Sequence, residues 1–494
     1  MTKIFFSALC TAVALVTLSA SAAVSQPNIV LIMCDDLGYG DVQCLNPEHG
    51  KIKTPSIDRL DSQGMTFTDA HSGSSVCTPT RYGLLTGRYS WRTRLQNGVA
   101  SGFQPCLIAP DRLTVAGLLK KQDYATAIIG KWHLDFQYQD PATGAILPKK
   151  GRPPIGATIP DGPVHRGFDY FHGFHHARHM DSFIENDKVV ERLDEINCLP
   201  RLTEKSVAYI EARAKSPDQP FFLYVPLGSP HTPIVPTKEW QGKSGLGPYG
   251  DFVMQTDATV GAITDALEKN GFAENTLVIF TSDNGCSKAA DIPGLRKQGH
   301  RVSAQYRGSK ADIWDGGHRV PFLVRWPGKV EPGSHCDQLI TLVDFFATVS
   351  EITGEQAPDM AEDSVSFLPA LSGQPIQSTR KGVIHHSVSG HFAYRQGKWK
   401  LILAKGSGGW SAPKEREVGA DAPQAQLYDM EKDPREQNNL YLSHPEVAEM
   451  LLAELTDDVQ RGRSTDGPEA RNDVENIRLW KSGRADSQTR KRRR

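Results

Sequence analysis

The 494-residue chain has almost no net charge, since 56 Lys and Arg against 57 Asp and Glu leave −1. Without a field of one sign, nothing draws nucleic acid or an anionic membrane surface to it, and neither is expected as a partner. Its 8 cysteines include no close Cys-x-x-Cys pair, which argues against a structural zinc site. There is no internal repeat. Beyond residue 18 there is also no apolar run of the roughly 20 residues that a bilayer span needs, so no stable membrane insertion is expected.

The first residues are a different matter. Lys3 supplies a positive start, residues 4–18 are apolar, and Ser19-Ala20-Ser21-Ala22-Ala23 forms a small-residue cleavage site. This reads as a secretory signal peptide over 1–22 and implies export, to a periplasm or outside the cell. Cys10 would leave with it. Apart from Cys77, six cysteines remain: Cys34, Cys44, Cys106, Cys198, Cys286 and Cys336. They can pair as disulfides in an oxidising compartment or stay as buried thiols.

Apolar, β-branched runs at residues 28–33, 125–129, 221–226, 276–281 and 322–325 alternate with helical patterns at 114–121, 203–214 and 257–270. Strands buried on both faces and separated by helices imply a mostly parallel sheet, an α/β fold. In such sheets a site lies beyond the carboxyl ends of the strands. Asp35-Asp36 and Asp283-Asn284 both follow strands there. Alone, either pair reads as a turn or a helix cap. Together they offer three carboxylates and an amide oxygen, which suit a hard cation such as Ca²⁺ or Mg²⁺. Asp41 reads as a turn residue or one that orients these ligands.

Residues 139–166 are rich in Pro, Gly and Lys and read as a long surface loop. Residues 372–379 have the composition of a linker. Beyond it, 391–403 alternates like two strands around Gln396-Gly397, and 445–461 reads as a closing helix. The expected organisation is a catalytic domain over 25–375 and a smaller C-terminal unit over 376–462. A polar and basic tail over 463–494 is expected to be disordered.

Cys77-x-Pro79-x-Arg81, continued by Tyr82-Gly83-Leu84-Leu85-Thr86-Gly87-Arg88, resembles the maturation signature of the type I sulfatases. In that family a separate formylglycine-generating enzyme oxidises the cysteine to 3-oxoalanine (formylglycine). The same resemblance extends to Asp35-Asp36, to Thr281-Ser282-Asp283-Asn284-Gly285, to Gly130-Lys131-Trp132-His133, to Ser229-Pro230-His231-Thr232-Pro233 and to the segment Tyr306-Arg307-Gly308-Ser309-Lys310. It covers nearly the whole chain after the signal.

The resemblance implies an alkaline-phosphatase-like large domain with a mostly parallel central sheet, plus a smaller C-terminal α+β domain with a short antiparallel sheet. It implies a metal site of Asp35, Asp36, Asp283 and Asn284 with the modified Cys77, holding Ca²⁺, with Mg²⁺ as the alternative ion. One hydroxyl of the hydrated aldehyde attacks sulfur to form a covalent intermediate. The second, once deprotonated, expels sulfate. Lys131 stabilises the modified residue and the sulfate, His133 takes the proton, His231 and Lys310 contact the sulfate, and Arg81 supports the modified residue and the metal carboxylates. Leaving-group protonation falls to His231 or Lys310, with His231 preferred.

The implied reaction is hydrolysis of a sulfate monoester, with a sulfated saccharide as substrate. A formylglycine-dependent phosphonate or phosphodiester hydrolase, and a non-catalytic glycan-binding protein with unmodified Cys77, remain as alternatives. His318 is read as a substrate contact. The cluster His172, His175, His176, Arg178 and His179 reads either as a polar loop or as a pocket for an acidic or hydroxylated sugar, with His176 and Arg178 as its contacts.

Overall fold

A strand with apolar residues on both of its faces has no solvent face, so it must be covered on both sides. The strand Asn28–Asp35 meets this condition in a computed structural model that describes residues 26–149, 151–356 and 358–481. Ile29, Leu31 and Met33 enter one hydrophobic core, and Val30, Ile32 and Cys34 enter another on the opposite face. The first core takes side chains from the helices Val115–Lys121 and Phe345–Ile352. The second takes them from Cys198–Arg213 and Pro248–Lys269. The result is a sheet sandwiched between helical layers.

That sheet has ten strands. Its centre runs Thr276–Ser282, Asn28–Asp35, Phe221–Pro230, Ala125–Lys131 and Tyr170–Phe174, all parallel. Phe322–Arg325 runs antiparallel to its neighbours. The two outer strands Ser182–Glu185 and Lys188–Arg192 also run antiparallel. The helix expected at 257–270 begins earlier, at Pro248, because its first turns carry polar Asp251, Gln255 and Thr256, which blur the apolar period.

The C-terminal unit is a four-stranded antiparallel sheet of Val383–His386, Phe392–Gln396, Trp399–Ile402 and Gln426–Asp429, with the helix Pro445–Gln460 packed on it. It joins the large domain through a buried ion triad. Lys400 Nζ lies 2.7 Å from Asp315 Oδ1 and 2.8 Å from Glu436 Oε1, and Glu436 Oε2 accepts from the Asp315 backbone N–H at 2.8 Å.

The tail differs from its expected disorder over its described part. Ser464 N donates to Asp363 Oδ1 at 3.1 Å, and Asp473 Oδ1 lies 3.0 Å from Nη2 of the buried Arg88. Ile477, Leu479 and Trp480 pack on the C-terminal core. Polar composition hid these few apolar and ion-pairing positions. Residues 1–22, where a signal peptide is expected, and tail residues 482–494 lie outside the described residues. All seven described cysteines are free thiols. No helix among the described residues is long and apolar enough to cross a membrane.

Candidate active site

Five parallel strands deliver side chains to one place at their carboxyl ends, as open α/β sheets do. Asn28–Asp35 ends in Asp35 and Asp36, and Thr276–Ser282 is followed by Asp283 and Asn284. Ala125–Lys131 ends at Lys131, Phe221–Pro230 leads to His231, and Tyr170–Phe174 leads to His175 and His176. The strand carrying Lys131 packs tightly because Gly130 has φ 144° and an added Cβ would lie 2.0 Å from the Pro226 carbonyl oxygen. Only glycine fits there.

Cys77 opens the buried helix Cys77–Thr86. Pro79 sits in its first turn, where a missing N–H removes no helical bond. Gly87 closes it in the left-handed conformation, φ 65°. The N-terminal end of this helix, with its unpaired N–H groups and positive dipole end, favours an anion. Burial pushes the Cys77 thiol up to about 11 against the pull of Lys131 and Lys310. The thiol is therefore protonated at neutral pH and weakly nucleophilic.

The charged groups interlock. Lys131 Nζ pairs with Asp35 Oδ2, and Lys310 Nζ pairs with Asp36 Oδ1 and stands 3.9 Å from Cys77 Sγ. Arg81 Nη1 donates to the Lys131 carbonyl oxygen at 3.0 Å, and its Nε and Nη2 reach Asp283. Burial opposes ionisation of Asp35, but Lys131, His231, Arg81 and Lys310 outweigh it and hold the carboxyl well below the usual range. Burial and the neighbouring Asp35 push Asp283 up to about 7, against the pull of Arg81. Burial alone would lower Lys310, but Asp36 reverses this and keeps the ammonium charged.

Three buried oxygens in this network, Asp35 Oδ1, Asp36 Oδ2 and Asn284 Oδ1, accept no hydrogen bond from the protein. Such groups are costly unless something else meets them. Asp35, Asp36 and Cys77 offer ligand atoms within 4.8 Å of one another, and Asn284 Nδ2 donates to Asp36 Oδ1 at 2.8 Å. An oxygen-rich donor set with orphaned acceptors fits a hard divalent cation. Asp41 is no part of it. Its carboxylate accepts from Gly38 N at 2.8 Å, Tyr249 Oη at 2.5 Å and His300 Nε2 at 2.7 Å, and so braces the turn behind Asp36.

Two backbone positions are unusual. Asp36 and His133 adopt φ 67° and 55°, left-handed values that a non-glycine residue takes at some cost. His133 is buried with neither ring nitrogen hydrogen-bonded. Burial, then Lys131 and the imidazoles of His176 and His175, hold it well below the usual histidine pKa, so it is neutral. His231 is also lowered, by burial against the opposing pull of Asp36 and Asp35. Its Nδ1 lies 2.5 Å from the Thr232 carbonyl oxygen, to which it donates, and its Nε2 lies 3.7 Å from Asp36 Oδ2.

A cavity of about 560 Å³ opens above these groups. Cys77, His133, His231 and Lys310 line it, with His176 and Arg178 at one side. His318 does not reach it. Its ring is fully buried, stacked on His385 at 3.9 Å, with Nδ1 3.0 Å from His71 Nδ1. The expected substrate contact is instead part of a histidine cluster behind the site, drawn there by Asp315 and Lys400. His172 is likewise buried, with Nδ1 3.9 Å from Glu185 Oε1, and does not line the cavity. Among the lining residues that sequence reasoning missed are Val99, Glu195, Val388 and Trp410. Glu195 lies among ordinary surface charges, and Trp410 follows a Gly- and Ser-rich run that reads as plain loop.

The Sulfatase family profile matches residues 27–355, and the profile described as N-sulphoglucosamine sulphohydrolase, C-terminal, matches residues 309–464. The chain is 33% identical to an N-acetylgalactosamine-6-O-sulfatase of Bacteroides thetaiotaomicron, over 88% of this chain and 93% of that one. It is 32% identical to human arylsulfatase A, over 86% of each. A solved structure, described under the metabolism of multiple glycosaminoglycans by Bacteroides thetaiotaomicron, superposes with a TM-score of 0.77 at 31% identity, covering 88% of this chain and 99% of that one.

Proposed function

The chain belongs to the sulfatase family, and from that membership we propose that it is an exported enzyme that removes sulfate from sulfated saccharides, using a formylglycine made from Cys77 and a bound Ca²⁺. The observation that carries this reading is the position of Cys77. It stands at a helix N-terminus, 3.9 Å from the Lys310 ammonium, in one cluster with the Asp35 and Asp36 oxygens. Saccharide is favoured because relatives named for sulfated sugars, among them an N-acetylgalactosamine-6-O-sulfatase, match most of the chain.

When bound, the cation, held by Asp35, Asp36, Asp283 and Asn284, offsets sulfate charge and polarises the hydroxyls of the modified residue. A hydrated aldehyde at position 77 would supply one hydroxyl to attack sulfur and a second that, once deprotonated, would release sulfate without attack of water on sulfur. The chain's own groups do the rest. Lys131 and Lys310, each paired to an aspartate, hold the sulfate oxygens. Neutral His133, whose unprotonated ring nitrogen is not engaged in any hydrogen bond, takes the proton. His231 has its Nδ1–H committed to the Thr232 carbonyl, so Nε2 can deliver a proton to the leaving oxygen only from the imidazolium form, which burial disfavours but the nearby Asp36 and Asp35 carboxylates favour. Arg81 keeps Asp283 and the Lys131 strand end in register.

The test is direct. Protein from the native host should give a tryptic Cys77 peptide lighter by about 18 Da, the difference between cysteine and formylglycine. It should also hydrolyse an aryl sulfate faster than a matched aryl phosphodiester. A retained thiol would favour a glycan-binding role, and faster phosphodiester turnover a phosphodiesterase.

A further inference from the structure

The cavity above Cys77 is larger than a sulfate group needs, and part of its wall comes from the C-terminal unit. At about 560 Å³ it falls in the range of pockets that enclose a drug-sized ligand. Trp410 lines it and is 37% exposed, one of few large apolar side chains so placed among the described residues. A single exposed indole is ordinary on a surface, but one that lines a cavity offers a ligand a broad apolar face and an N–H donor.

The backbone beneath that indole is held firmly. The buried Asp312 carboxylate accepts from Trp410 N at 2.9 Å, Ser411 N at 3.0 Å and Ser411 Oγ at 2.5 Å. The same carboxylate accepts from Ser309 N at 2.9 Å, next to Lys310. Gly409 passes so close to the lysine loop that an added Cβ would lie 2.3 Å from the Ala311 carbonyl oxygen. One aspartate therefore fixes the tryptophan relative to a lysine that holds sulfate. Lys288 Nζ sits 5.0 Å over the ring and does not line the cavity, so it braces the indole from outside. Arg178 and Glu195 give the remaining wall groups that bond hydroxyl, amide or acid substituents.

A rigid aromatic face beside a polar wall suits a sugar ring. The indole face is the negative part of its quadrupole, and the C–H bonds on one face of a pyranose present weakly positive hydrogens to it. We propose that Trp410 is the platform of a second saccharide subsite, which takes the ring adjoining the sulfated one and makes the enzyme prefer oligosaccharides over single sulfated sugars. This rests on the sulfated-saccharide reading above.

The experiment compares wild type, W410A and W410F on a 6-sulfated chondroitin tetrasaccharide and on N-acetylgalactosamine 6-sulfate. The backbone bonds to Asp312 do not depend on the indole, so both variants should fold. The ratio of kcat/KM, tetrasaccharide over monosaccharide, should exceed one in wild type. In W410A it should fall about tenfold, the size of one aromatic contact, chiefly through KM, and W410F should recover most of it. A W410A ratio within twofold of wild type, or a wild-type ratio below one, overturns the platform alone. Failure of wild type to turn over either sugar or any of a panel of other sulfated saccharides, with aryl sulfate still hydrolysed, overturns the saccharide reading and the platform with it.

Discussion

Arg81 donates twice to one oxygen: its Nε lies 3.1 Å and its Nη2 2.7 Å from Asp283 Oδ2. The other oxygen, Oδ1, is left to accept from Asp36 N at 3.2 Å. Arg81→Ala would leave a buried carboxylate without its partner, a loss of about 3–5 kcal/mol. Arg81→Lys keeps the charge but not the fork, and should recover only part of this. Urea unfolding of the purified variants checks the order. Equal stability of all three would mean the pair does not hold the site.

Cys77→Ala should leave no measurable sulfate release. Cys77→Ser should be nearly as poor in a host that matures only cysteine, because a serine sulfate ester is as stable as the substrate. An aryl sulfate assay with a single-turnover arm distinguishes them, since the serine variant should release alcohol at most once per chain.

Chelation should both inactivate and destabilise the protein. A ligand bound only to the folded state adds about 2.7 kcal/mol when present at 100-fold its Kd. Treatment with EGTA should therefore lower the melting temperature, and added Ca²⁺ should restore it together with activity. Asp283→Ala should lose calcium and turnover together. Unchanged calcium content in that variant removes Asp283 from the ligand set.

His231→Gln should be selective for the leaving group. A phenolate leaves without help, whereas a sugar alkoxide needs a proton, and general acid catalysis is worth about 10²–10⁴. Turnover of a sugar sulfate should fall far more than turnover of an activated aryl sulfate. Equal losses on both would point to sulfate binding as the role of His231.

Acid should destabilise the fold through histidines behind the site. Burial above all lowers the pKa of His71, His318 and His385, so the unfolded chain binds protons there first. Stability is then lost as pH falls below about 6.5, by up to about 1.4 kcal/mol per pH unit for each such group. Glu436 works the other way. Burial and Asp315 push it up to about 7 despite Lys400, so its contribution grows as pH falls from there. His385→Asn should flatten the acid loss between pH 6.5 and 5 in urea titrations, and Glu436→Gln should steepen it.

Much of this was legible in the chain because one physical rule applied repeatedly. Runs such as residues 28–33 and 276–281 are apolar on both faces, so they marked central parallel strands, and the polar residues after them marked the site. The antiparallel direction of Phe322–Arg325 was not legible, because burial sets composition and not strand direction. His318 misled for a related reason. It stands eight residues after Lys310 and directly after Gly316-Gly317, but the helical turn Asp315–His318 points it inward to His71 and His385. Trp410 carries no periodic signal, and only the fold shows that Asp312 reaches it.

The Lys400 triad has a consequence for modularity. Two of its charges, Lys400 and Glu436, come from the small unit and the third, Asp315, from the large one, five residues beyond Lys310. A chimera that joined this large domain to a C-terminal unit without a lysine in the place of Lys400 would bury Asp315 without a matched ammonium. An exchange of either part should therefore be tolerated only where all three charges are kept.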